Sequence, residues 1–166
     1  MTTRIALLAD THIPSRATEI PDWVWDVCST ADHAIHAGDF DSPEGHFEMG
    51  VLVGGSMTAV RGNKDPAFDL PPVATHEAEG VRFVVTHGDG PKWEADYRQH
   101  LADLAGEHGA QVAVAGHTHR VLDVELDGVR LLNPGSATGA DPAGRPTLMT
   151  VDCQDGALDV RLHEPP

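Results

Sequence analysis

The chain has 166 residues and a formal charge of −15, from 26 acidic side chains against 11 lysines and arginines. That length suits one domain burying roughly 70% of its unfolded surface. A 40% hydrophobic content with 17 Gly and 12 Pro excludes a disordered or fibrous chain in favour of a turn-rich globular one.

The acidity has a particular make-up: Asp outnumbers Glu 17 to 9, and Lys64 and Lys92 stand beside nine arginines. Such a surface suits salt-loaded cytoplasm, where ionic strength screens self-repulsion, so halophile-like, salt-dependent stability is expected. So negative a field argues against sequence-independent nucleic-acid binding, which rests on basic side chains neutralising phosphates. No apolar run approaches the ~20 residues of a membrane span, so no membrane partner is expected. Arg4-Ile5-Ala6-Leu7-Leu8 comes at the start with Asp10 close behind, so no signal peptide is expected. Cys28 and Cys153 suit neither a disulfide framework nor a metal knuckle, and Cys28 reads as a small apolar residue. A cytoplasmic protein is expected.

In chain order, Ile5 to Ala9 reads as a buried strand. Pro21 to Thr30 follows as a helix, with Trp23, Val24 and Val27 at helical spacing and Trp23 and Trp25 as packing residues. Ala34 to Ala37 is a second strand, Pro43 to Leu52 a second helix and Thr58 to Val60 a third strand. Val73 to Ala78 and Val81 to Thr86 flank a Glu79-Gly80 turn and read as a hairpin. Trp93 to Gly106 is a helix with Gly106 as its stop, and Val112 to Ala115 a buried strand. Asp127-Gly128 joins Val121–Leu126 to Val129–Leu132, and Asp155-Gly156 joins Thr147–Val151 to Leu158–Leu162. Asp-Gly between alternating apolar residues is a strong hairpin signal, because a type I′ turn needs positive φ at both centres. Residues 133–146 form a long loop. Early α/β alternation and late hairpins imply mixed sheets with helices outside them.

Polar residues recur directly after the strands: Asp10-Thr11-His12, Gly38-Asp39, Gly62-Asn63, His87-Gly88 and Gly116-His117-Thr118-His119. Ligands of open α/β sheets bind beyond the carboxyl ends of the strands, so these five ends converge on one rim. Imidazole with carboxylate and no thiolate suits Mn, Fe, Co, Ni or Zn. Seven candidates, Asp10, His12, Asp39, Asn63, His87, His117 and His119, are too many for one ion with an open position. They suit two ions with a shared ligand, about 3.5–4 Å apart, able to clamp both oxygens of an in-line phosphoryl displacement. Any one of these blocks alone is more often a plain turn. Their joint order at spacings of 24 to 30 residues carries the reading. His33, His46, His76, His100, His108 and His163 read as ordinary surface or partly buried side chains, and His36 either as orienting a ligand from behind or as a core histidine.

Those blocks in that order resemble the calcineurin-like metallophosphoesterase family. Asn133-Pro134-Gly135-Ser136 matches a loop of its small bacterial and archaeal phosphodiesterase branch. The resemblance covers nearly the whole chain and implies one domain, residues 1–166, folded as a four-layer α/β/β/α sandwich with metals at one sheet edge. It implies two divalent ions per chain, manganese foremost, with nickel, iron, cobalt and zinc as alternatives. One takes Asp10, His12 and His119, the other Asn63, His87 and His117, and Asp39 bridges them. It also implies a hydroxide between the metals attacking phosphorus in line, with Asp39, Asn63 and His117 as the catalytic set, and it allows a homodimer.

Two positions depart from the family pattern. Lys64 stands where larger members carry the histidine that protonates the leaving oxygen, and Asp89 where many small members have a second histidine. Lys64 could serve as that acid, but two nearby cations would lower its pKa and push it away, and a solvated loop lysine is the alternative. Without an acid, esters with good leaving groups should be favoured. Arg61 and Arg120 flank metal blocks and read as plain surface residues, with a bidentate contact to a phosphate as the alternative. The expected function is therefore a phosphodiesterase acting on a small molecule. The alternatives are a phosphomonoesterase with the same site and a non-catalytic metal-binding scaffold resembling the retromer subunit.

Overall fold

The computed structural model describes residues 1–66 and 69–166. β1 (Thr3–Leu8), α1 (Asp22–Cys28), β2 (His33–His36), α2 (Pro43–Leu52) and β3 (Met57–Ala59) alternate, with β1, β2 and β3 parallel neighbours. β4 (Val73–Ala78) and β5 (Val81–Thr86) follow, then α3 (Glu94–His108) and β6 (Val112–Val114). β7 (Leu122–Leu126), β8 (Val129–Asn133), β9 (Leu148–Gln154) and β10 (Ala157–His163) complete the chain. The strands make two five-stranded mixed sheets, ordered β10-β9-β1-β2-β3 and β4-β5-β6-β8-β7.

Strand periodicity explains the layering. In β1, Ile5 and Leu7 enter a cluster shared with Phe83 and Val85 of β5, Val112 and Val114 of β6, and Met149 and Val151 of β9. Ala6 and Leu8 point the other way, into a cluster with Val24 and Cys28 of α1 and Met49 and Leu52 of α2. The second sheet behaves alike: Val84, Ala113 and Leu131 meet Tyr97, Leu101 and Ala105 of α3 on its outer face. Central strands covered on both faces must be apolar throughout, which is why β1 reads as an unbroken run. The result is the four-layer α/β/β/α sandwich. Cys28 and Cys153 are free and buried within it, and burial pushes the Cys28 thiol up to about 12. Trp23 and Trp25 pack against the α1–α2 cluster.

All three turns expected of hairpins have positive φ at both centres: Glu79-Gly80 at 50° and 83°, Asp127-Gly128 at 53° and 78°, and Asp155-Gly156 at 50° and 80°. Helix ends differ from expectation. Gly106 lies inside α3, and the helix stops at Gly109, whose φ of 60° supplies the left-handed residue that ends it. Pro21 stands just outside α1, which closes at Cys28 because residues 29–31 turn away. Among the described residues no helix is long and apolar enough to cross a membrane.

Candidate metal centre

The parallel strands β1, β2, β3, β5 and β6 deliver their carboxyl ends to one edge of the sandwich. Backbone bonds then zip the following loops together. Asp10 N–H donates to Gly38 O (3.0 Å), His12 N–H to Asp39 O (3.1 Å) and Gly116 N–H to His87 O (3.1 Å). Asp10, His12, Asp39, His117 and His119 all adopt positive φ, between 47° and 70°. Non-glycine residues in that region cost about 1–3 kcal/mol each and cluster at functional sites. Gly62 has a different reason to be glycine: a Cβ there would overlap the Asp39 amide and carboxylate. A Cβ on Gly116 would stand 2.8 Å from Asp10 Oδ2.

The seven donors meet in one compact cluster. His12 Nε2 and His119 Nε2 are 3.1 Å apart, and Asp10 Oδ1 lies 3.3 Å from His119 Nε2 and 3.8 Å from His12 Nε2. Asn63 Oδ1 is 2.9 Å from His87 Nε2 and 3.2 Å from His117 Nδ1. Asp39 Oδ2 lies between the halves, 3.5 Å from His12 Nε2 and 3.2 Å from His87 Nε2. Asp10 Oδ1 also reaches across, to 4.0 Å from His87 Nε2, so two metal-competent groups, Asp10–His12–His119 and Asp10–Asp39–His87, share Asp10.

The far ring nitrogens of His12, His87 and His119 are occupied. His87 Nδ1 faces Ala37 O at 2.8 Å and His119 Nδ1 faces Ala140 O at 3.0 Å. A carbonyl only accepts, so Nδ1 carries the proton and Nε2 turns a lone pair to the cluster. His12 Nδ1 is held by Asp41 Oδ1 at 2.7 Å, and Ser15 Oγ donates to the other Asp41 oxygen. Nitrogen lone pairs and carboxylate oxygens converging in a nearly dry site fit divalent cations, and each outer partner orients its ligand as metal sites require.

Protons compete for the same lone pairs. Burial alone would lower His87, but its hydrogen bond to Asp39 and the charges of Asp10 and Asp39 raise it to about 9. His119 is raised by Asp10 in spite of burial. Burial would raise the Asp39 carboxyl, yet His87, the Lys64 N–H and His12 hold it below its ordinary value. Burial lowers His117, with His87 adding to the effect.

Several supporting residues escaped the sequence reading. The Asp65 carboxylate accepts four backbone N–H groups: Phe40 (2.7 Å), Asp41 (3.0 Å), Asp39 (3.0 Å) and Gly62 (2.7 Å). It thereby locks the Asp39 loop to the Asn63 loop. An acidic residue two places after Asn63 carries no sequence signal of that role. Asn133 and Ser136 were visible only as a matching loop. Asn133 Nδ2 donates to Gly116 O (2.9 Å), and Ser136 Oγ donates to Asp10 O (2.7 Å). His36 does stand behind the ligands: its Nδ1 accepts from Gly38 N–H and its Nε2 meets Thr11 Oγ1. Lys64, Arg61, Arg120 and Asp89 are exposed, and Lys64 engages the centre through its backbone N–H, on Asp39 Oδ1 at 2.8 Å.

Comparison with known proteins agrees with this architecture. The profile of the calcineurin-like phosphoesterase superfamily domain matches residues 3–156. A "probable metallophosphoesterase" of Methanothermobacter thermautotrophicus is 38% identical over 161 residues, covering 95% of this chain and 90% of that one. Among solved structures, vacuolar protein sorting 29 from Cryptosporidium parvum superposes with a TM-score of 0.81 at 22% identity, covering 98% of this chain and 97% of that one. The wild-type protein of that name from Entamoeba histolytica, complexed with Zn²⁺, gives 0.80 at 22% identity, covering 98% and 99%.

Proposed function

The chain belongs to the calcineurin-like phosphoesterase superfamily, and on that premise we propose that it is a phosphodiesterase acting on small-molecule diesters with two divalent cations, manganese foremost. The observation that carries the reading is the convergence of all seven donors with the far nitrogens of His12, His87 and His119 already tied down. Asp10, His12 and His119 would hold one ion, Asn63, His87 and His117 the other, with Asp39 Oδ2 between them. Bound there, such ions supply Lewis acidity toward a phosphoryl oxygen and activate water near neutral pH. The chain's own part is orientation. Asp39 Oδ1 is pinned by the Lys64 N–H, which leaves Oδ2 to face both halves. The Asn63 amide and the half-buried His117 ring stand at the open side, where charge on phosphoryl oxygens develops.

A second reading, an interaction scaffold, draws on the fold shared with vacuolar protein sorting 29. Hydrolysis separates the two. Metal-stripped protein in molar KCl, with Mn²⁺ restored, is expected to turn over bis(p-nitrophenyl) phosphate faster than p-nitrophenyl phosphate. The reverse preference would make it a monoesterase. Folded, metal-loaded protein inert toward both would favour the scaffold.

A further inference from the structure

A cleft of about 410 Å³ opens beside the donor cluster and shares His117 with it. Trp93, at the start of α3, lines this cleft and is 72% exposed. A single exposed aromatic is unremarkable; its company here is not. Lys92, Arg98 and Arg120, three of the chain's 11 lysines and arginines, line the same cleft in a molecule of charge −15. Glu94, the carboxylate on its wall, is ion-paired with Arg98. The Arg98 Nε is buried and has no hydrogen-bond partner among the described residues.

We propose that this cleft selects the substrate: it takes the nucleoside of a mononucleotide diester, the base stacked on Trp93 and the phosphate steered by Lys92 and Arg120 toward His117. The proposal rests on the phosphodiesterase reading and names its substrate class. An exposed indole in a cleft lined by lysine and arginine is the equipment for a planar, anionic ligand, since stacking accepts any base and arginine adds charge. The volume lies within the ~300–1,000 Å³ of small-molecule sites. It suits one nucleotide, whereas the acidic surface beyond repels a polynucleotide.

The test compares two esters with one leaving group, thymidine 5′-(p-nitrophenyl phosphate) and ethyl p-nitrophenyl phosphate, with Mn²⁺-loaded protein. The wild type should prefer the thymidine ester in kcat/KM, and Trp93→Ala should cut that preference at least about tenfold. Trp93→Phe should restore most of it, and Arg120→Ala should act chiefly on KM. A preference unchanged in Trp93→Ala overturns the proposal. If the wild type hydrolyses neither ester, the phosphodiesterase reading fails, and the cleft is judged by tryptophan fluorescence titrated with thymidine 5′-monophosphate. Saturable quenching lost in Trp93→Ala upholds the nucleotide subsite; no saturable quenching overturns it.

Discussion

Asp39 and Asp65 use one functional group for two tasks. Asp39 offers Oδ2 to His12 and His87 while Oδ1 takes the Lys64 N–H; Asp65 spends both oxygens on four backbone N–H donors. Asp39→Asn replaces one acceptor by a donor between the two halves. Mn²⁺-supported turnover of bis(p-nitrophenyl) phosphate should fall beyond the ~10–100-fold typical of losing an outer partner, and near-normal turnover at saturating metal would refute the shared role. Asp65→Asn keeps the shape but turns an amide against backbone donors. Its expected result is a loss of roughly 10–100-fold in Mn²⁺ affinity by calorimetry, with far-ultraviolet circular dichroism unchanged. The Lys64 side chain is exposed, so it offers no buried acid to a leaving oxygen. Rates across aryl and alkyl diesters should fall steeply as leaving-group pKa rises; a flat series would reveal another acid.

At the scale of elements, β2 and β4 meet through two histidines. His33 and His76 stack with ring centroids 3.9 Å apart and planes 4° off parallel, and His33 Nδ1 and Nε2 are taken by Ser56 and Thr58. Burial first, then the neighbouring ring, lowers His33 from 6.5 to about 4, and burial lowers His76. Below 6.5 the unfolded chain therefore takes up the proton before the folded one. The contribution is whole above that value and is lost as pH falls through the window to about 4. Partial exposure reduces it to about 1 kcal/mol. Urea midpoints measured between pH 7 and pH 4 should decline less steeply in His76→Gln than in the wild type, and parallel declines would exclude the pair as the cause. Elements also show where sequence patterns mislead. Gly106 is as good a stop signal as Gly109, yet packing of Leu101, Ala102 and Ala105 carries α3 past it to the glycine whose φ is 60°.

Across the whole molecule, 26 carboxylates face 11 lysines and arginines, and several ion pairs, such as Arg98–Glu94 and Arg130–Asp123, lie at least partly exposed on the surface. Self-repulsion of this size is relieved by screening within ~3 Å at 1 M salt. The melting temperature should be higher in molar KCl than in dilute buffer, and equal values would mean that the acidity does not limit stability. Metal uptake should release protons, because His87 binds its proton to about 9 without a metal. Mn²⁺ affinity should therefore strengthen as pH rises from 6 to 8.

Period and punctuation alone marked the strands, the hairpins with their glycine turns, the mixed character of the sheets and the seven candidate donors, because strand alternation and positive-φ turns are local properties of a few consecutive residues. The order of the blocks added the family. Tertiary structure decided the rest: that Asp10 reaches both halves of the cluster, that Asp41, Asp65 and Ser136 hold the ligand loops, and that Trp93 stands in a cleft beside His117. These depend on contacts between residues as far apart as Asp10 and Ser136, where distance along the chain carries no information until the two sheets have packed.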